Sequence, residues 1–554
     1  MISQMKRPVQ FFCQSLICAA ALLLLMSCGG SGGSSSTGST GSAGTDPPVV
    51  TGTPLTAADV DAAIRSAVMA VNLPIEVAVV DRVGNILGVF GTNGAPTSGI
   101  GNFGKTEAAD ELAVALARTG AFFSNDMAPL SSRTVRYISG IHFPPGIAGT
   151  ANAALYGIEN TNRGCSFNTT YNPGKAIPPA TMINGSSPGL GILTGKANFY
   201  DSDPTAVNPG GVPLFKDGTL VGGIGVVAGN NAYYYGVAEY AAYIAAISKP
   251  FSIMVPPPGV VNINGVNLPF VDTTTAPSGI TASAFNGQYE VGPLASPGPD
   301  PIDWLVGPMA SAYPGGLSQQ AVINIVNGAK GTAGVTRAAI RLPLGSTARM
   351  MISVADLDGN LLAIYRMPDA TIFSIDVSVG KARNVVYFSS TGGQLPGAYA
   401  DPQPGSVDLP GVPPGTAVTN RSISEGAQPL FPPGIDGSPN GPFFNLYLFD
   451  TNNACTQGSQ PKNPYQNGVV FFPGALPLYR NGVLVGGLGV SGDGVDQDDF
   501  VTSGGGAEMV QNNNSDPSQT GVGFEAPAAI RADQVVIDNV RLPYLKFPRN
   551  PTQP

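Results

Sequence analysis

Val80-Asp-Arg-Val-Gly-Asn-Ile-Leu-Gly-Val-Phe90 and Ala355-Asp-Leu-Asp-Gly-Asn-Leu-Leu-Ala-Ile-Tyr365 are two versions of one strand, turn and strand. A second pair lies further along each half. It reads Gly211-Val-Pro-Leu-Phe-Lys-Asp-Gly-Thr-Leu-Val-Gly-Gly-Ile-Gly-Val226 and Ala475-Leu-Pro-Leu-Tyr-Arg-Asn-Gly-Val-Leu-Val-Gly-Gly-Leu-Gly-Val490. Apolar runs broken by Asp-Gly or Asn-Gly mark hairpins. The chain therefore carries one module twice, and each copy, at about 200 residues, is long enough to bury its own core.

Working outward, Thr56 is placed to cap a helix in which Val60, Ile64 and Val68 share a face. Residues 106–123 and 235–248 predict the other helices of the first copy. In the second copy the same order predicts helices over 318–328 and 375–388. A Phe-Pro-Pro-Gly-Ile sequence occurs at 143–147 and again at 431–435. The spacing between copies changes from element to element, so insertions and deletions fall in loops. The glycines of Gly222-Gly-Ile-Gly225 and Gly486-Gly-Leu-Gly489 fall inside the last strand, where they permit close backbone approach, and do not form a dinucleotide loop. Domain boundaries follow: 54–248 and 314–511 for the modules, 249–313 for a Pro-rich connector ending near Trp304, and 512–554 for a tail. Val535 to Leu545 of that tail reads as an added edge strand.

Lys6 and Arg7, the apolar run from Leu16 to Met26, and Leu25-Met-Ser-Cys28 read as a signal segment over 1–27 ending in a lipobox-like cysteine. Residues 28–53, almost wholly Gly, Ser, Thr and Ala at first, form a flexible tether. The reading is a lipid-anchored envelope protein with Cys28 as its first residue. Gly29 in place of Asp resembles an outer-membrane sorting signal of Gram-negative bacteria. Cys165 and Cys455 stand in matching Thr-Asn-x-x-Cys settings. They either bridge the modules, as an oxidising compartment allows, or remain separate thiols. The formal net charge of −9 and the absence of a basic stripe argue against nucleic acid as a partner. With one histidine, His142, and no catalytic triad in view, an enzyme is disfavoured.

Val354-Ala-Asp-Leu-Asp-Gly-Asn-Leu-Leu-Ala-Ile-Tyr-Arg-Met-Pro-Asp-Ala370, with Phe373 to Arg383 and Gly487-Leu-Gly-Val-Ser-Gly492, resembles the GlcG/HbpS heme-binding-like family. The resemblance implies an α/β (α+β) fold: two profilin-like modules, each a mainly antiparallel sheet flanked by helices. It implies heme or a related flat tetrapyrrole as ligand, usually held by histidine. Here His142 has Leu430 as its repeat counterpart, so the duplicated design lacks that ligand. The candidate ligand contacts are Tyr365, Arg366, Met367, Lys381, Arg383 and His142, iron being able to accept Tyr or Met as well as His. Lys381 and Arg383 could instead form surface pairs with Asp376 or Asp369. Asp493, Asp496 and Asp498, with Asp499, could hold a hard cation such as calcium, or decorate a helix N-terminus. Two readings of function remain: a heme-type binding protein, or an interaction module that keeps the fold without a ligand.

Overall fold

The computed structural model describes residues 53–552. It leaves out 83, 102–103, 105, 125, 127, 145–146, 151–152, 154, 156–191, 193–207, 254–260, 264, 298–303, 340–345, 369, 372–373, 392–407, 454, 459–464 and 507–522. The expected signal, tether, Cys28, Cys165 and Asp369 lie outside the described residues. Among those described, no helix is long and apolar enough to cross a membrane.

Each module is a five-stranded antiparallel sheet with helices. The first sheet is built from β1 (Glu76–Asp81), β2 (Ile86–Gly91), β3 (Gly211–Lys216), β4 (Thr219–Val227) and β5 (Gln288–Val291), in the order β3-β4-β1-β2-β5. The second contains β6 (Trp304–Val306), β7 (Met351–Ala355), β8 (Leu361–Arg366), β9 (Ala475–Arg480) and β10 (Val483–Ser491), in the order β9-β10-β7-β8-β6. The two orders are the same, with an edge strand from the connector closing each. Gly292-Pro-Leu-Ala-Ser296 follows β5 and Gly307-Pro-Met-Ala-Ser311 follows β6. The connector thus holds two copies of one edge element, and each sheet takes one. The tail, contrary to what its sequence suggested, adds no strand to either sheet among the described residues. Residues 536–537 and 540–541 pair only with each other.

The α-helices among the described residues are α1 (Ala57–Ala70), α2 (Ala109–Phe123), α3 (Ser132–Tyr137), α4 (Ala232–Ile247), α5 (Gln319–Ala333), α6 (Ser374–Ser389), α7 (Asn420–Gly426), α8 (Phe444–Asp450) and α9 (Val495–Gly506). Thr56 caps α1 through a reciprocal pair of bonds with Asp59, and Ser318 caps α5. The short α3 and α7 were hidden in loops rich in Gly and Pro, yet both start with the same capping box, Ser131 with Thr134 and Thr419 with Ser422.

The repeated turns are held alike. Asp81 Oδ1 accepts from the Gly84 and Asn85 amides, and Ser296 Oγ donates to Asp81 Oδ2. Asp356 Oδ1 accepts from the Asp358 and Asn360 amides, and Ser311 Oγ donates to Oδ2. The central helices α2 and α6 lie directly on the glycine-bearing strands. A methyl group on Gly225 would overlap the Ala113 carbonyl oxygen, and one on Gly489 would overlap that of Ser378. Close contact of this kind sets Arg118 Nε 3.0 Å from the Gly84 carbonyl and Arg383 Nε 2.8 Å from that of Gly359.

The repeat continues beyond residues 248 and 511. Thr134 Oγ1 donates to Pro269 O and Ser422 Oγ to Pro543 O, both at 2.6 Å. Asn267-Leu-Pro-Phe270 and Arg541-Leu-Pro-Tyr544 are therefore equivalent, each following a small two-stranded ribbon. The largest apolar cluster runs from α2 and the first sheet into α5, α6 and the second sheet, so the modules share core. Loops also meet: His142 Nε2 lies 3.1 Å from Asp436 Oδ1, beside the two Phe-Pro-Pro-Gly-Ile sequences.

Gly489→Ala or Gly225→Ala should lower stability by about 1–3 kcal/mol or more, because a packed helix backbone cannot yield a methyl's width. Gly331→Ala, in open space on α5, should be neutral or stabilising by up to about 1 kcal/mol. Urea midpoints distinguish the three; equal midpoints would contradict the packing described.

Candidate functional site

A cavity of about 470 Å³ opens where the two modules and the C-terminal tail come together. Ile138, Phe143 and Ala153 of the first module form an apolar wall, and Phe472 and Pro473 of the second face into it. Its charged lining is four cations, Arg337, Arg421, Lys546 and Arg549, against two carboxylates, Glu425 and Asp496. That excess of positive charge stands out in a chain of formal net charge −9. Burial pushes Glu425 above its ordinary value, which weakens its opposition to anions. The dimensions suit a small ligand, and the lining suits one that combines apolar surface with acidic groups.

The cavity floor is an ion-pair network. Arg421, at the start of α7, binds Asp499 through Nε and Asp496 through a terminal nitrogen at 2.6 Å. Lys546 Nζ stands 3.2 Å from Asp496, and the Lys546 amide donates to Asp499 Oδ2 at 3.0 Å. Behind Phe472 lies a second, fully buried pair, Lys381 with Asp498 at 2.8 Å. Lys381 also donates to the Val490 carbonyl and sits 4.1 Å from the Phe472 ring centre. Gly474 makes this possible: it adopts a φ of +114°, and a side chain there would press on Lys381 Nζ and Asp498.

The carboxylates read as a cation site are thus corrected. Asp493 accepts from the Arg349 amide at 2.6 Å, and Asp496, Asp498 and Asp499 are taken by Arg421, Lys381 and Lys546. Among the described residues no group of three His, Cys, Asp or Glu is arranged to hold a metal. The network is instead the second copy of a clamp. In the first module Arg133 pairs with Glu239 at 2.6 Å, and Glu239 accepts from the Asp272 and Thr273 amides, just as Asp499 accepts from Lys546.

The residues singled out for ligand contact are dispersed, and none lines the cavity. Met367 is packed in the core. Tyr365 stacks edge-on against Trp304, with ring centres 5.0 Å apart. Arg366 is buried and donates to the Ala370 carbonyl at 2.8 Å; burial, with Arg82 nearby, lowers it to about 9. Arg383 is buried beneath the first hairpin turn of the second module, where it donates to the Gly359 carbonyl, and also bonds Asn467. Lys381 is not a surface residue and its partner is Asp498, not Asp376. His142 is engaged on both ring nitrogens, Nδ1 3.2 Å from Thr150 O and Nε2 with Asp436. Arg337, Arg421, Lys546 and Arg549 were missed because distant segments bring them together. The described cavity-lining residues include no His, Met, Cys or Tyr. They fit the flat face and acid groups of a heme, but offer its iron no axial side chain.

Burial raises Asp498 to about 7, with Lys381 pulling the other way. The folded protein therefore holds this proton where the unfolded chain, at its ordinary value near 3.8, has lost it. The stabilisation is full below about pH 4 and disappears as pH rises through about 7. Asp498→Asn should flatten the decline in urea midpoint between pH 4.5 and 7.5 relative to the parent protein. Parallel slopes for the two proteins would contradict this assignment.

Residues 331–505 match the family model described as haem degrading protein HbpS-like. Solved structures similar to the chain include two. One is the Klebsiella pneumoniae protein ORFY, a DUF336 protein, at 20% identity over 34% of this chain and 85% of that one, with a TM-score of 0.21. The other is a PduOC:heme complex, at 20% identity over 38% of this chain and 99% of that one, with a TM-score of 0.22. No curated protein matches the chain. The chain is thus similar, over residues 331–505, to the HbpS-like family.

Proposed function

We propose that this chain is an exported, lipid-anchored HbpS-like protein that binds heme or a related flat tetrapyrrole in the cavity between its modules. The observation that carries the reading is the cavity itself, an apolar slot with a surplus of cations, walled largely by the HbpS-like module. The lipid anchor on Cys28 rests on the lipobox-like sequence and the Gly/Ser tether. A bridge from Cys455 to Cys165 is supported by their matched Thr-Asn-x-x-Cys settings. It would cross-link the modules, an effect of roughly 2–5 kcal/mol for a native disulfide.

Hemin titration followed by visible absorbance tests the ligand and its place. Phe143→Asp, in the apolar wall, should weaken binding by about tenfold or more, since a charge there faces the macrocycle. Met367→Leu, a volume-conserving change, should leave binding unaltered. If Met367→Leu or His142→Ala removes the spectral change while Phe143→Asp does not, the cavity is not the site. No binding by the parent protein would favour the interaction-module reading.

Mass spectrometry of the protein extracted from membranes, without reduction, reads both modifications. It should find a lipid-modified Cys28 as first residue and a Cys165–Cys455 peptide. An unmodified N-terminal region upstream of Cys28 would refute the anchor, and free thiols at both positions would refute the bridge.

A further inference from the structure

The C-terminal tail reaches the cavity from beyond the HbpS-like segment, which ends at residue 505. Two observations hold it there. Arg337 donates its amide to Pro551 O at 2.7 Å and its guanidinium to the carbonyls of Arg549 and Asn550. Asp499, buried in the clamp, accepts from the Lys546 amide. Between these two moorings Lys546 and Arg549 line the cavity, and both side chains are exposed rather than packed away.

The duplicated clamp shows that this charge is a departure. In the first module the residue whose amide is held by the clamp is Asp272, whose carboxylate pairs with Arg133 at 2.9 Å. In the second module the same place is Lys546. The repeated element that carries a carboxylate in one copy carries an ammonium in the other, at the rim of the cavity. The backbone bond to the clamp is common to both copies; the Lys546 ammonium meets Asp496 at 3.2 Å, yet its side chain stays two-thirds exposed at the rim.

We propose that Lys546 and Arg549 read the acidic groups of the bound ligand, so that the site selects an apolar ligand carrying carboxylates and is indifferent to a central iron. This rests on the reading of the cavity as a tetrapyrrole site and states what is recognised there. Among the described residues the lining supplies charge-assisted donors for two acid groups and no side chain for the metal.

The test uses the full chain and three probes: hemin, protoporphyrin IX and the dimethyl ester of protoporphyrin IX, each titrated by absorbance at low and physiological salt. Hemin and protoporphyrin IX should bind within about threefold of one another. The dimethyl ester should bind about a hundredfold more weakly, since it loses two charge-assisted hydrogen bonds, each worth about tenfold. The double variant K546Q/R549Q should lose about a hundredfold for both acids and nothing for the ester, with an unchanged circular dichroism spectrum. Equal binding of ester and acid, or hemin binding far tighter than protoporphyrin and untouched by the double variant, would overturn the proposal while leaving a tetrapyrrole site in place. Failure of all three probes to bind would overturn the tetrapyrrole reading and this proposal with it.

Discussion

The contact on which each module depends is the one between the central helix and the last strand. Glycines at Gly223 and Gly225, and at Gly487 and Gly489, let backbone lie on backbone. The sheet is then close enough for Arg118 and Arg383, rising from those helices, to reach across to the first hairpin turn and donate to its glycine carbonyl. One short approach therefore fixes helix, last strand and turn as a unit. It also sets the height at which Lys381 meets Asp498 and Phe472. A buried charge pair of this kind contributes less to stability than to the placement of its surroundings. Here the surroundings are the wall of the cavity.

Duplication separates scaffold from candidate function. The Asp-Asn-Ser hold on the first turn, the buried arginine beneath it, the capping box of the short helix and the clamp that grips the Leu-Pro-aromatic segment all occur twice. What occurs twice serves the fold. What differs is the charge after the clamp, Asp272 in one copy and Lys546 in the other, and the cavity stands beside the second. The connector fits the same logic, since it carries both edge strands and so ties the sheets through one stretch of chain.

Local physics made much of this legible in sequence. Alternating apolar runs around Asp-Gly and Asn-Gly mark the hairpins, Thr56 and Ser318 mark helix starts, and glycines within an apolar strand mark close approach. The module resemblance around Asp356 to Arg383 led to the right fold class. What failed was long-range pairing. Lys381 was matched with Asp376 on its own helix because the true partner, Asp498, lies far along the chain. The acidic run at 493–499 looked like a cation site because Arg421 and Lys546 are invisible as its neighbours until the chain folds. The tail looked like an edge strand because its apolar alternation does not reveal that residues 536–537 pair locally with 540–541 in a small ribbon.

The central claim is that the cavity between the modules holds a carboxylated, flat ligand by its acid groups. The most direct measurement is a crystal structure of the full chain grown with hemin, with anomalous scattering collected at the iron edge. The account predicts an iron peak inside the cavity, no protein side chain coordinated to it, and both propionates within hydrogen-bonding distance of Lys546 and Arg549. An iron peak ligated by Met367, Tyr365 or His142, away from the tail, would contradict it.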